Sequence, residues 1–259
     1  DPKRYTVSEK ADLLYRTFLL SREKFKEADA KASDAGMNCL ECKIRMLDCG
    51  IQLGRLSHEL DKPLEARDKL EDTVKQLLKL RKIKSRKNPP HEESIACLLG
   101  DAYIQLSQLK KDNPEASAKD IIRSLEHLQT AKEMYHDNTS LTDERDPGIA
   151  LTRQLDFQAK AYQLLGESLT KIEIIGIDLR KKLRRLFNQD KINRPAGSTD
   201  NLSPQGERQN IQYAKEAFCA SIEATRIAHD RHGDGHRSIY HLGLTHLWLA
   251  KANYLEFLT

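Results

Sequence analysis

The chain has 259 residues, of which 39% are hydrophobic, 32% charged and only 6% aromatic, and this scarcity of aromatic and β-branched runs disfavours sheet and points to helix. Its 43 Lys and Arg stand against 39 Asp and Glu, an excess of four that is too slight to imply nucleic acid by itself. The longest apolar runs, such as Ile174–Ile177 with Gly176 inside it, fall far short of the roughly 20 residues of a membrane-spanning helix, and five cysteines without framework spacing read as free thiols of a reducing compartment, cytosol or nucleus.

The opening Asp1-Pro2-Lys3-Arg4, without Met or an apolar leader, reads as a fragment's start. Ser8 is a candidate N-cap for a first helix running through Leu13, Leu14, Phe18, Leu19 and Phe25 to Gly36, whose missing Cβ suits a helix stop. Asn38 then caps a second helix, with Leu40, Ile44, Leu47, Ile51 and Leu56 at helical spacing up to Leu60, before Pro63. Leu64 to Lys87 forms a third, ended by Asn88-Pro89-Pro90; a fourth covers Glu92 to Lys111, and a fifth Glu115 to His136. The sixth opens near Pro147 and reaches Ile172 or Phe187, with Gly176 as a kink. Lys191 to Gly206 reads as a loop; Glu207 to His232 and Gly235 to the end give a seventh and an eighth helix. The expected class is all-α, about eight helices in one domain over 1–259.

The dipeptide Leu-Gly recurs inside these helices, at Leu53-Gly54, Leu99-Gly100, Leu165-Gly166 and Leu242-Gly243. An interior helical Gly costs about 1 kcal/mol relative to Ala, so its recurrence suggests a neighbouring helix packed too close for a Cβ. Downstream of the first three pairs stand small–large–small triplets: Ala66, Leu70 and Thr73; Ser124, Leu128 and Ala131; Ala214, Phe218 and Ser221.

This combination resembles the tetratricopeptide repeat, which places Leu-Gly in its first helix and a small residue on the second helix's contact face. The resemblance covers roughly Cys39 to Thr259, with Tyr103 at the family's aromatic position; the signature Trp and closing Pro are missing and the units are longer than the usual 34 residues. It implies an α-solenoid of antiparallel hairpins, with a leading helix 8–36, hairpins 39–87, 92–136 and 148–232, an insertion at about 173–206, and 235–259 as the first helix of an incomplete unit. In that register a partner protein or peptide would meet Arg55, His58, Asp101, Gln105, Lys160, Gln163, Lys171, Arg237, Tyr240 and Trp248. The Asn residues of the family's clamp for chaperone tails are missing, which disfavours that role.

Chemistry is sparse. Cys39-x-x-Cys42, with Cys49 nearby, lacks the second pair of a structural zinc site, and the two thiols share a helix face as small hydrophobes. Five histidines, His229, His232, His236, His241 and His246, crowd the C-terminal part, but Gly233 and Gly235 make a turn between them. Neither a phosphate loop nor a nucleophile elbow is present, so the expected protein is no enzyme and needs no cofactor. The dense run Arg180-Lys181-Lys182-Leu183-Arg184-Arg185-Leu186-Phe187 lies in the insertion and is a candidate docking site through Arg180, Lys181, Arg184 and Arg185. Arg184 to Phe187 also looks like the short docking motif that cyclins recognise. The expected function is a scaffold or adaptor that holds a partner protein; a regulatory domain of a larger enzyme and a nucleic-acid-binding helical repeat are the alternatives.

Overall fold

The Thr6 hydroxyl accepts from the Glu9 amide while the Glu9 carboxylate accepts from the Thr6 amide, a reciprocal capping box. The cap of α1 (Val7–Asp34) is therefore Thr6, two residues before the expected Ser8, and both bonds from Thr6, backbone then side chain, hold the Glu9 carboxyl below its ordinary pKa. The helix stops where Gly36 was expected to stop it. Gly36 stands at φ 70, its amide donating to Ser33 and that of Met37 to Ala32, so two carbonyls left over at the helix end are satisfied.

A computed structural model describes residues 6–37, 39–84, 89–138, 147–172, 175–190, 208–232 and 235–258. After α1 follow α2 (Leu40–Glu59), α3 (Pro63–Lys84), α4 (Pro89–Leu109), α5 (Pro114–Asn138), α6 (Pro147–Leu169), α7 (Ile177–Asp190), α8 (Arg208–His232) and α9 (Gly235–Leu258). The protein is all-α, with no strand among the described residues. Four helices open on proline, which fits the first turn because its missing N–H would be unbonded there anyway. The ninth helix arises because the expected long sixth one ends at Leu169, and α7 starts afresh after Gly176. Asn38 and the loop at 191–206 lie outside the described residues; the N-cap of α2 is Cys39.

The chain divides into two compact units, residues 1–109 with 129–142 and residues 110–128 with 143–259, so that α5 is shared between them. In the first, α2, α3 and α4 bury apolar stripes against one another: Ile44, Leu47 and Ile51; Leu70, Val74 and Leu77; Ile95, Leu99, Ala102 and Leu106. Gly50 lies against Thr73 and Gly54 against Leu70, a reversed order that makes α2 and α3 antiparallel. An added Cβ at Gly54 would come within 2.6 Å of Leu70 Cγ. Tyr15 on α1 donates to Glu65 Oε1 on α3 at 2.8 Å, and Lys69 donates to the same oxygen. Leu13, Leu14, Leu19 and Leu20 of α1 are exposed, outside the stripe that periodicity assigned to three of them.

In the second unit α6 and α8 run antiparallel, since Ser221 donates to the Ala159 carbonyl, Gly166 meets Phe218 and Asn210 donates to the Ile172 carbonyl. Gly166 is approached more closely than Gly54: a Cβ there would lie 2.4 Å from the Phe218 ring. Phe218 stacks in turn on Trp248 of α9, ring centroids 6.4 Å apart. A Cβ added at Gly243, the fourth Leu-Gly glycine, would meet nothing from outside its own stretch of helix within 4 Å among the described residues. All nine residues of the three small–large–small triplets are buried.

Candidate interaction surface

The basic run of the sequence becomes α7, and its two faces separate cleanly. Leu179, Leu183 and Phe187, spaced four residues apart, are buried, and Phe187 stacks on Tyr213 of α8 with centroids 5.9 Å apart. That commitment removes Phe187 from any docking role, so Arg184 to Phe187 cannot present the paired apolar side chains a cyclin-type motif needs. On the opposite side Lys181, Arg184 and Arg185 are exposed, with Lys182 half-exposed. None of these four cations has an ion pair among the described residues, although Asp178 stands in the same helix's first turn. Arg180 differs: it is half-buried, and its guanidinium donates to the Ile175 carbonyl at 3.4 Å, which turns it towards the start of its own helix.

Position along the helix matters as much as face. Arg180 stands in the first turn of α7, where the helix dipole disfavours cations, and Lys181 to Arg185 fill the middle of the helix, where it offers them nothing. By contrast a second basic stretch in the sequence, Lys79, Arg81, Lys82 and Lys84, occupies the last turns of α3, where the dipole favours cations, and Arg81 pairs with Glu92 at 3.4 Å. The dipole accounts for the position of the second run and not for that of the first.

The remaining sequence-derived positions are scattered. Arg55 and His58 lie on α2, Arg55 exposed and paired with Glu59 at 3.7 Å, His58 half-exposed. Asp101 and Gln105 are both buried and bonded to each other at 3.1 Å, which leaves them no surface to offer. Gln163 is 7% exposed, with its amide donating to Glu167 at 2.8 Å. Lys160 is half-buried, and Lys171 is exposed just past the end of α6. Arg237 and Tyr240 fall on α9, their side chains outside those described, as are the side chains of His229, His232, His236 and His241; His246 is exposed. Trp248 is half-buried under Lys251, whose ammonium sits 4.7 Å from the ring centroid.

The free-thiol expectation needs correction for one pair: Cys39 and Cys42 are joined in a disulfide. Side by side at the start of a helix, their sulfurs converge, and the spacing Cys-x-x-Cys was the available signal. Cys49, Cys97 and Cys219 form no disulfide. Burial, with Asp48 nearby, pushes the Cys49 thiol above its ordinary pKa against the opposing charges of Arg22 and Arg45, so it is the least reactive kind of thiol. Among the described residues no group of three His, Cys, Asp or Glu side chains is placed to hold a metal ion, and no helix is long and apolar enough to cross a membrane.

Comparison of the chain with family models, with curated proteins and with solved structures returned no match.

Proposed function

We propose that this protein is a non-catalytic scaffold or adaptor of the cytosol or nucleus, built on tetratricopeptide-like helical repeats, that recruits an acidic protein partner through the outer face of α7. One observation carries the reading: α7 is pinned by Leu179, Leu183 and Phe187, while Lys181, Lys182, Arg184 and Arg185 lie off that apolar face without an ion-pair partner among the described residues. A rigidly held cationic face suits carboxylate-rich segments, since ordering it costs little extra entropy on binding. The close approaches Gly54 to Leu70 and Gly166 to Phe218 support the repeat reading, because each pairs a Leu-Gly glycine with the large residue of its triplet.

The test uses the full chain and a fluorescently labelled Glu- and Asp-rich peptide, with binding read by anisotropy at several salt concentrations. Exposed charge pairs each contribute about 0.2–1 kcal/mol, so replacing Lys181, Arg184 and Arg185 with Gln should weaken binding about tenfold while the melting temperature barely moves. Unchanged affinity, or a collapse of stability with binding intact, would refute the assignment. Tighter binding of duplex DNA than of the peptide would move the surface to the nucleic-acid class.

A further inference from the structure

We propose that Cys39 and Cys42 form a reversible thiol–disulfide site at the start of α2, exchanging electrons with small-molecule thiols and disulfides of the glutathione class. Their Cα atoms are 5.3 Å apart, within the span a disulfide bridges without moving the backbone. The placement is set by the helix itself: Cys39 is the N-cap and Cys42 lies in the first turn, so breaking the bond leaves both sulfurs where they were and ready to close again. Only two residues separate them.

Access distinguishes this pair from buried Cys49, and the charge at the helix start distinguishes it from half-exposed Cys97 and exposed Cys219. Both cysteines are half-exposed and reachable by a small thiol, whereas Cys49, seven residues on, is buried with its thiol form favoured. The amide of Cys42 donates to Cys39 Sγ at 3.3 Å, and the unbonded N–H groups of the helix start add partial positive charge, so negative sulfur is favoured at Cys39. Glu41, between the two cysteines, would oppose this, but its carboxylate is occupied by Arg45 at 2.8 Å and faces His91 of α4 at 3.7 Å. Lys43, next along, pairs with Asp29 of α1.

The exchange balances with glutathione alone. Starting from the dithiol, the Cys39 thiolate attacks one sulfur of glutathione disulfide, the disulfide breaks, and its electron pair leaves on a glutathione thiolate. Cys42 then loses its proton to solvent and attacks the Cys39 sulfur, expelling the second glutathione thiolate. Two electrons pass from the protein to the external disulfide, and the reverse sequence reduces the protein.

The experiment equilibrates the full-length protein in buffers of varied reduced to oxidised glutathione, quenches with an alkylating agent, and maps each cysteine by mass spectrometry. Cys39 and Cys42 should pass together from doubly alkylated to bonded as the ratio falls, while the far-UV circular dichroism stays constant. A pair alkylated at every ratio, or a bond that survives excess reduced glutathione, would overturn the proposal. The Cys42→Ser chain, which cannot close the bond, should accumulate a glutathione adduct at Cys39 about threefold or more faster than at exposed Cys219. Equal rates at the two sites would remove the helix start's role and with it the argument for a built site.

Discussion

Glycines 166 and 243 both follow a leucine, both lie inside helices of the same unit, and Ala at the two positions should shift stability in opposite directions. At Gly166 the added methyl would meet Phe218 Cε1, Cζ and Cδ1 at 2.4, 2.6 and 2.8 Å. Carbon atoms rest at about 3.5–4.0 Å, so three ring atoms must retreat by about an ångström. The ring has little room to do so, being fully buried and stacked on Trp248. Overpacking of this kind costs typically 1–3 kcal/mol, and the rigid neighbour places it near the top of that range, about 3 kcal/mol. Ala gains about 1 kcal/mol over Gly in a helix interior, which leaves Gly166→Ala destabilised by about 2 kcal/mol. Gly243→Ala meets nothing within 4 Å and keeps the helix gain, a stabilisation of about 1 kcal/mol. Urea unfolding followed by circular dichroism reads both. In the Gly166→Ala background, Phe218→Leu should cost less than it does alone, because the smaller side chain relieves the overlap. Stabilisation by both alanines, or strict additivity with Phe218→Leu, would show that the close approach of α6 and α8 does not govern this position.

Phe187→Ala should destabilise by about 3–5 kcal/mol in the same unfolding assay, since it removes a buried ring stacked on Tyr213; a loss under about 1 kcal/mol would mean that α7 is not anchored there. The bonds from Lys69 and then Tyr15 hold the Glu65 carboxyl below its ordinary pKa against the opposing effect of burial, so this tie stabilises the fold above the ordinary carboxyl pKa and is lost as pH falls through the depressed one. Melting temperatures of the wild type and Tyr15→Phe should accordingly differ near neutrality and converge in acid, by a small amount because the Glu65 side chain is 38% exposed; a gap that ignores pH would rule out the tie. Elemental analysis of the purified chain should find no stoichiometric zinc, because Cys39 and Cys42 are bonded to each other; about one zinc per chain, lost on Cys42→Ser, would overturn that.

The class and most helix limits, though not the break after Leu169, were legible in the sequence because they depend on local chemistry. Period-3.6 leucines, proline-opened segments and Gly36 mark helices through interactions a few residues long, and the Leu-Gly pairs flagged close packing before any neighbour was known. Even the Thr6–Glu9 capping box was written there, three residues apart, and was missed in favour of Ser8. What periodicity could not supply was which stripe finds a partner. Leu13, Leu14 and Leu19 have the same spacing signal as Ile44 and Leu47, yet the former are exposed and the latter buried, since burial depends on a neighbouring helix arriving from elsewhere in the chain. The glycines make the same point: Leu242-Gly243 repeats the local pattern of Leu165-Gly166, and only the placement of Phe218 decides that one glycine is required for space and the other is not. For the surface, the sequence showed a dense cationic run but left its apolar residues free to be motif or anchor. The burial of Leu179, Leu183 and Phe187 settled that in favour of an anchor, and so left the cations as the face that α7 exposes.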